Sequence, residues 1–500
     1  MPSQADDCNA LEATTSIEEM SENEFNRDIL RTLQNDELFE LWLCTQCLRD
    51  MEYVEYEDYE YEPGSSRELD WLGHFVKKST RLEVVGISGV GTFGNCSGHS
   101  VDKFLDNLGK CNHIKTMYFT GLPAEIIYKL GPAMKNNSRT RFEVYGCHLG
   151  VQEATFLFNT FRDMNSLEEL RIDCEADLAN LNDGDMAGCI PSLAASTGMQ
   201  SLKLNYLNLS TNSCAALRGV FPRMATLLKL VLCGNSLDDD CTRLLAQGLS
   251  DCCKQIQTLD LSDNRISDNG LDALVQRLPA SVDALCLARN DITLARHVLL
   301  LRFRVLIIWG NTLCPDGTQV IAASLANPEC RIECVLLSQC NIGDEGTATL
   351  ADGLRYNQRL TRISLGDNRI TEHGWNAFSS ILCDASSIQA TYNSNHTLQD
   401  LGYYRIPEDV ERMLSLNKGK NKSRVAANKI LQAHRHLDMR PLFGRELGLL
   451  PYVVAWLEQF AKSRPDLKLS SIFEFVRAMP MKVTDGVVGK AKGEKCKLNS

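Results

Sequence analysis

The stretch Ile256-Gln257-Thr258-Leu259-Asp260-Leu261-Ser262-Asp263-Asn264-Arg265-Ile266 decides the fold. Leu259, Asp260 and Leu261 alternate, so two side chains face a core and one faces out, as in a strand. Asn264 falls where the chain must leave that strand. Its amide both donates and accepts, which suits backbone groups that no strand ladder satisfies. Ile266 returns to the core. Ser267-Asp268-Asn269-Gly270 then offers a turn and a helix start, and Leu271, Leu274 and Leu278 recur at helical spacing. One strand and one helix cannot bury their apolar faces alone, so this unit needs neighbours.

The neighbours are present on both sides. Leu360, Ile363, Leu365, Asn368 and Ile370 repeat the frame almost unchanged, with Gly374, Phe378 and Ile381 following on the helical side. Asn235, Asn290 and Asn311 hold the asparagine slot in further copies, and Cys340 substitutes in another. Weaker copies place Val90, Leu122, Cys147, Glu175 and Leu207 in that slot, and His396 holds it in the last. That makes 12 candidate repeats, mostly 25 to 32 residues apart, with a short step of 21 from Asn290 to Asn311. The frame L-x-x-L-x-L-x-x-N-x-L resembles the leucine-rich repeat. A helix-bearing repeat of about 28 residues is similar to the ribonuclease-inhibitor class, which NOD-type receptors and Ran GTPase-activating proteins share. The resemblance runs from Leu82 to Leu401. It implies an α/β solenoid, a horseshoe with a parallel inner sheet, outer helices and a helical cap at each end.

The expected organisation has four parts. Residues 1–65 form an acidic arm with a helical cap and linker, and 82–401 the repeats. Residues 402–481 form a helical C-terminal cap, and 482–500 a loose basic tail. The chain is 44% hydrophobic and 23% charged, with mean hydropathy −0.19, which suits a soluble protein with a large core. No run is long and apolar enough for a transmembrane helix, and Met1-Pro2-Ser3-Gln4-Ala5-Asp6-Asp7 lacks the marks of a secretory signal. The cytoplasm is therefore the expected compartment, with the nucleus as an alternative. There the 20 cysteines read as reduced, mostly buried thiols, and sequons such as Asn95-Cys96-Ser97 carry no weight.

Residues 1 to 62 carry 18 acidic residues against Arg27, Arg31 and Arg49, a net of −15. The whole chain carries −12, so the remainder is about +3 and the acidity belongs to the arm. Phe25, Ile29 and Leu33, then Leu38, Leu41 and Trp42, predict helices from about Glu22 to Met51 with a break near Asn35-Asp36. The tyrosine-rich run Glu52 to Gly64 reads as a solvated linker, with a basic-partner contact, a modified segment or a fold-back across the horseshoe as its functional alternatives.

Catalytic signatures are weak. Gly89-Val90-Gly91-Thr92-Phe93-Gly94 spells G-x-G-x-x-G, but Asn95-Cys96-Ser97-Gly98-His99-Ser100 extends the loop and no acidic residue ends the next strand, Ile114 to Phe119. A repeat loop fits better than a dinucleotide site. Cys44-Thr45-Gln46-Cys47 is a lone C-x-x-C without further ligands at finger spacing. No P-loop, H-E-x-x-H, G-x-S-x-G or kinase set occurs. The expectation is a non-enzyme with no cofactor and no metal, binding neither nucleic acid nor membrane.

Near the C-terminus, Tyr403 to Pro407 leads into Glu408 to Leu416, followed by a basic stretch. The arrangement Asn417 to Lys422, Leu450 to Trp456 and Phe473 to Pro480 resembles the tail of diatom-type leucine-rich-repeat proteins, which implies no function.

Such a solenoid binds proteins on its concave face. The outward positions of the frame give Lys203, Asn205 and Tyr206, then Val231 and Cys233, then Asp260, Ser262 and Asp263, then Arg289, Trp309, Asp367 and Tyr392. Tyr206, Asp260, Asp263, Arg289, Trp309 and Asp367 are the expected partner-binding residues, since Trp, Tyr and Arg anchor interfaces. Trp309 has a core alternative, packing sideways into the short repeat. The expected function is a protein-interaction scaffold or adaptor. The alternative is an activator of a small GTPase, which the resemblance to Ran GTPase-activating proteins implies, with Arg289 as the arginine to examine.

Overall fold

A computed structural model describes residues 12, 15–44, 60–89, 91–136, 138–174, 179–295, 300–402 and 406–433. The chain divides into two compact units, Met1–Asp291 and Ile292–Ser500.

In the first unit the strands are β1 (Glu40–Cys44), β2 (Glu60–Tyr61), β3 (Val84–Ser88), β4 (Thr116–Thr120), β5 (Arg141–Tyr145), β6 (Leu149–Gly150), β7 (Glu169–Asp173), β8 (Ala179–Asn180), β9 (Ser201–Asn205), β10 (Lys229–Val231), β11 (Thr258–Asp260) and β12 (Ala284–Cys286). Apart from the short β6–β8 pair they form one sheet in the order β2-β1-β3-β4-β5-β7-β9-β10-β11-β12. Every pairing is parallel and in the same register, so Leu202, Leu230, Leu259 and Leu285 stand in one line. Helices such as Gly98–Lys110, Thr211–Val220, Asp239–Cys252 and Asp268–Arg277 connect successive strands and pack on one another. In the second unit β13 (Val305–Ile307), β14 (Cys334–Leu336) and β15 (Arg362–Ser364) pair in parallel. The helices Gly317–Ala326, Gly343–Leu354 and Glu372–Leu382 accompany them. Each unit is thus an α/β leucine-rich-repeat stack.

The asparagine slot explains why the repeats close. Asn264 Nδ2 donates to the carbonyls of Leu232, Leu261 and Ser262, and its Oδ1 accepts from Leu237 N at 3.0 Å. Asn235, Asn290, Asn311 and Asn368 act alike, each bonding both its own and the preceding repeat. Where cysteine replaces asparagine the thiol does part of this work. Cys147 Sγ accepts from Leu122 N at 3.3 Å, and Cys340 Sγ donates to the carbonyls of Ile308 and Ser338. Val90 and Glu175 lie outside the described residues.

A second ladder joins the helix starts. Asp183 accepts from the backbone of Ser210, Asn212 and Ser213, and Asp239 from Ser267 and Gly270. Asp344 accepts from Thr371. A carboxylate in one helix's first turn therefore satisfies the open N–H groups of the next helix.

Several expectations are corrected. The N-terminal helix ends at Gln34, and Leu41 and Trp42 lie in β1, which pairs with β3. Five consecutive buried or half-buried residues, Glu40 to Cys44, suit an internal strand better than a one-faced helix. The sheet thus begins at Glu40, ahead of the expected boundary at residue 82. Glu60 and Tyr61 pair with Trp42 and Leu43 as β2, so this end of the tyrosine run is pinned and is not a linker. Tyr61 is fully buried and donates to Glu68 Oε1, which also accepts from Ser21 Oγ and from Asn26 Nδ2 at 2.6 Å. That carboxylate ties the helix Glu24–Gln34 to the helix Ser66–Lys78.

At the far end Asp400 bridges Arg362, so His396 precedes the last strand position and does not hold the asparagine slot. Tyr392 ends a short helix, Ile388–Tyr392, and does not lie on the strand face. Gly91–Gly94 forms a turn and the next helix starts only at Gly98, in keeping with a repeat loop. Helices Glu408–Asn417 and Lys422–Ala433 follow. Residues beyond 433, and Cys47 of the C-x-x-C, lie outside the described residues, while Cys44 is buried at the end of β1.

Candidate functional site

The shared register arranges the side chains of the open strand face into rows. In the first unit one row reads Trp42, Gly86, Tyr118, Glu143, Arg171, Lys203, Val231, Asp260, Cys286. A parallel row two residues earlier reads Glu40, Val84, Thr116, Arg141, Glu169, Ser201, Lys229, Thr258, Ala284.

At the start of the first row the Trp42 indole stacks on Tyr118, with centroids 5.2 Å apart and planes 23° apart. The indole crosses β3 above Gly86, where a Cβ would sit 2.0 Å from the ring. Trp42 Nε1 donates to Glu40 Oε1, which fixes the ring. Arg141 lies 5.9 Å from the centre of Tyr118, and Arg171 5.8 Å from the centre of Tyr145. Both arginines are held by carboxylates: Arg141 by Glu143 and Glu169, Arg171 by Asp173 and more distantly by Glu143. Asn205 Nδ2 extends the chain by donating to Asp173 at 3.1 Å. Half-exposed ion pairs add little stability, about 0–1 kcal/mol each, but they orient the guanidinium groups.

The strands end in a left-handed residue. This column contains Gly89, Gly121, Gly146, Tyr206, Gly234, Asp263 and Arg289 in the first unit, and Gly310, Gln339 and Asp367 in the second. Four of the six expected partner-binding residues, Tyr206, Asp263, Arg289 and Asp367, sit in this turn position. Tyr206 lies over Gly234, where a Cβ would approach its ring to 2.1 Å. Burial, with Cys233 and Asp263 nearby, pushes its phenol up to about 12. Arg289 Nη1 reaches Asp263 Oδ1 at 3.6 Å, and Asp260 accepts from Ser262 Oγ. Tyr206, Asp260, Asp263 and Arg289 therefore share one face of the first unit. Trp309 and Asp367 belong to the second unit, where Trp309 is half-buried next to Gly310 and Asp367 is exposed beside Gln339.

Sequence reasoning missed Trp42, Tyr118, Tyr145, Arg141, Arg171 and Lys229. The signal lay in the same frame, one residue before or after an inward side chain of each strand. Tyr118, Arg141, Tyr145 and Arg171 lie in the weaker copies upstream of Lys203, Lys229 precedes the inward Leu230, and Trp42 falls at helical spacing with Leu38.

Nothing in this set has the character of a nucleophile. Burial pushes the Cys233 and Cys286 thiols up to about 12, with Asp260 adding to both. Among the described residues, no group of three or more His, Cys, Asp or Glu is placed to hold a metal, and no helix is long and apolar enough to cross a membrane.

Comparison with known proteins gives the same type of repeat. Ribonuclease inhibitor from Mus musculus is 27% identical over 251 residues, covering 49% of this chain and 48% of that protein. The chain carries leucine-rich repeats similar to those of the ribonuclease-inhibitor class. Ribonuclease inhibitor from Sus scrofa is 23% identical over 339 residues, covering 54% of this chain and 74% of the relative. NACHT, LRR and PYD domains-containing protein 14 from Homo sapiens is 29% identical over 186 residues, covering 37% of this chain and 15% of that protein. The chain thus spans about half the length of the mouse relative and a small part of the human one. Among solved structures, an internalin from Listeria monocytogenes matches at 12% identity and TM-score 0.42, over 78% of this chain and 97% of its own. No family model matches the chain.

Proposed function

We propose that the protein is a non-enzymatic scaffold or adaptor, in the cytoplasm or nucleus, that holds a protein partner on the concave, strand-lined face of its repeats. One observation carries the reading. The open face of the first unit presents aromatic and arginine side chains in register, each set in place by a stack or an ion pair. Pre-organised Trp, Tyr and Arg lose little freedom on binding, which is why they dominate interface energetics. The relatives named ribonuclease inhibitor support a binding role, since an inhibitor acts by occupying a partner.

The test is affinity capture with the full chain, comparing wild type with Tyr118→Ala and Arg289→Ala. Partner recovery should fall at least about tenfold in the variants, while a helix-side change at exposed Tyr128 leaves it unaltered. The competing reading, activation of a small GTPase through Arg289, is tested by single-turnover GTP hydrolysis. It requires acceleration that Arg289→Ala abolishes, whereas the scaffold reading predicts none.

A further inference from the structure

The centre of the open face of the first unit holds four cations: Arg141, Arg171, Lys203 and Lys229. Their surroundings differ. The two arginines are matched by Glu143, Glu169 and Asp173. The ammonium groups of Lys203 and Lys229 make no ion pair or hydrogen bond among the described residues, although Lys229 N–H donates to the Gln200 carbonyl in the sheet. Lys229 lies opposite Ser201 and Lys203 opposite Val231, so the lysines stand one strand apart and two residues apart along it. At about 4.8 Å per strand and 3.3 Å per residue, their Cα atoms are roughly 8 Å apart. Two four-carbon side chains can converge on one point across that span. Lys203 is half-buried, and burial, then Lys229, holds its ammonium below the usual lysine range; Glu143 opposes this from a distance, while Arg171 and Arg141 add to it.

Resting on the proposed binding role of this face, we infer that one Asp or Glu side chain of the protein partner docks between Lys203 and Lys229, its carboxylate accepting from both ammonium groups. A single carboxylate fits because it supplies the missing counter-charge at normal hydrogen-bond distance. A continuous polyanion does not, because Glu143 and Asp173 on one side and Asp260 on the other would repel its neighbouring charges. Val231, in the same row and nearly buried, makes the next position along the ligand apolar.

The experiment pans a phage-displayed random peptide library against the full chain and measures selected peptides against Lys203→Gln/Lys229→Gln. The inference expects peptides with one essential Asp or Glu that bind the double variant at least about tenfold more weakly. It further expects the charge-reversed variant Lys203→Glu/Lys229→Glu to bind the same peptide once its acid is replaced by Lys. A control at exposed Lys254 should change nothing, and a single-stranded oligonucleotide should not compete. Failure to recover an acidic peptide that depends on both lysines overturns the inference, as does equal binding to the double variant or displacement by the oligonucleotide. Peptides lost in Tyr118→Ala or Arg289→Ala but kept in the lysine variant refute this docking point and leave the strand-face reading standing. Peptides indifferent to every strand-face change refute both.

Discussion

Trp42 stacks on Tyr118 across an intervening strand, and it does so because residue 86 has no side chain. The same device recurs where Tyr206 lies over Gly234. Each glycine is a vacancy that a neighbouring aromatic fills, and the ring becomes part of the open face.

Gly86→Val should therefore expel the indole. A Cβ there meets the Trp42 ring at 2.0 Å, so the ring must move. The expected cost is about 1–3 kcal/mol, typical of overpacking. Denaturant melts should show it, together with a red shift of tryptophan fluorescence. An unchanged melt and spectrum would mean that the indole does not occupy this space.

The asparagine ladder makes a second claim. Asn264→Ala strands the Leu237 N–H and the carbonyls of Leu232, Leu261 and Ser262, all buried in the turn. A loss of about 3 kcal/mol is expected in urea unfolding, since each buried unsatisfied group costs roughly 1–3 kcal/mol. Leu261→Ala, at a fully buried position, should cost about 2–5 kcal/mol. A loss below about 1 kcal/mol for either variant contradicts the packing described.

Much of this was legible beforehand. Strand alternation located β9 to β15 and the slot β10 to β15, because each inward leucine is buried and each slot asparagine or cysteine bonds its own turn. The helix Asp268–Arg277 was equally plain, its Ser267 cap accepting from Asn269 N. Trp42 was not legible as a strand residue. Leu38, Leu41 and Trp42 fall at helical spacing, and only the pairing of β1 with β3, some 40 residues on, decides between helix and strand. The left-handed column was half visible in Gly89, Gly121, Gly146, Gly234 and Gly310, but Tyr206, Asp263 and Arg289 occupy it without glycine. His396 was misplaced because the last repeat retains no asparagine signal at all.

The second unit should respond to pH. Burial pushes the Lys429 ammonium down to about 7, where it donates to the carbonyls of Leu382 and Asn395. Burial, then Lys429, pushes His396 down to about 4. Both groups bind protons more weakly folded than unfolded. Their stabilisation is complete above the unfolded values of 10.5 and 6.5 and is lost as pH falls through about 7 and about 4. Thermal melts from pH 7 to 8.5 should show wild type gaining on Lys429→Met, a difference that cancels the opposing titration of the buried cysteines. Parallel curves would place Lys429 in solvent.

Arg289 and Trp309 test the strand face of the first and of the second unit, each by itself. The double variant Arg289→Ala/Trp309→Ala should weaken partner binding while the melting temperature stays nearly constant, because Arg289 is exposed and Trp309 half-buried. A large fall in melting temperature, measured by calorimetry, would assign Trp309 to the core of the second unit.

Site-specific photo-crosslinking tests the strand-face claim most directly. Benzoylphenylalanine is placed singly at Thr116, Ser201 and Thr258 on the open face, beside the proposed contacts and not at them, and at Tyr128 and Lys254 on exposed positions elsewhere. The account predicts one adduct of common mass from the three strand-face positions and none from the other two. The same adduct arising from Tyr128 or Lys254, with the strand-face positions silent, would contradict it.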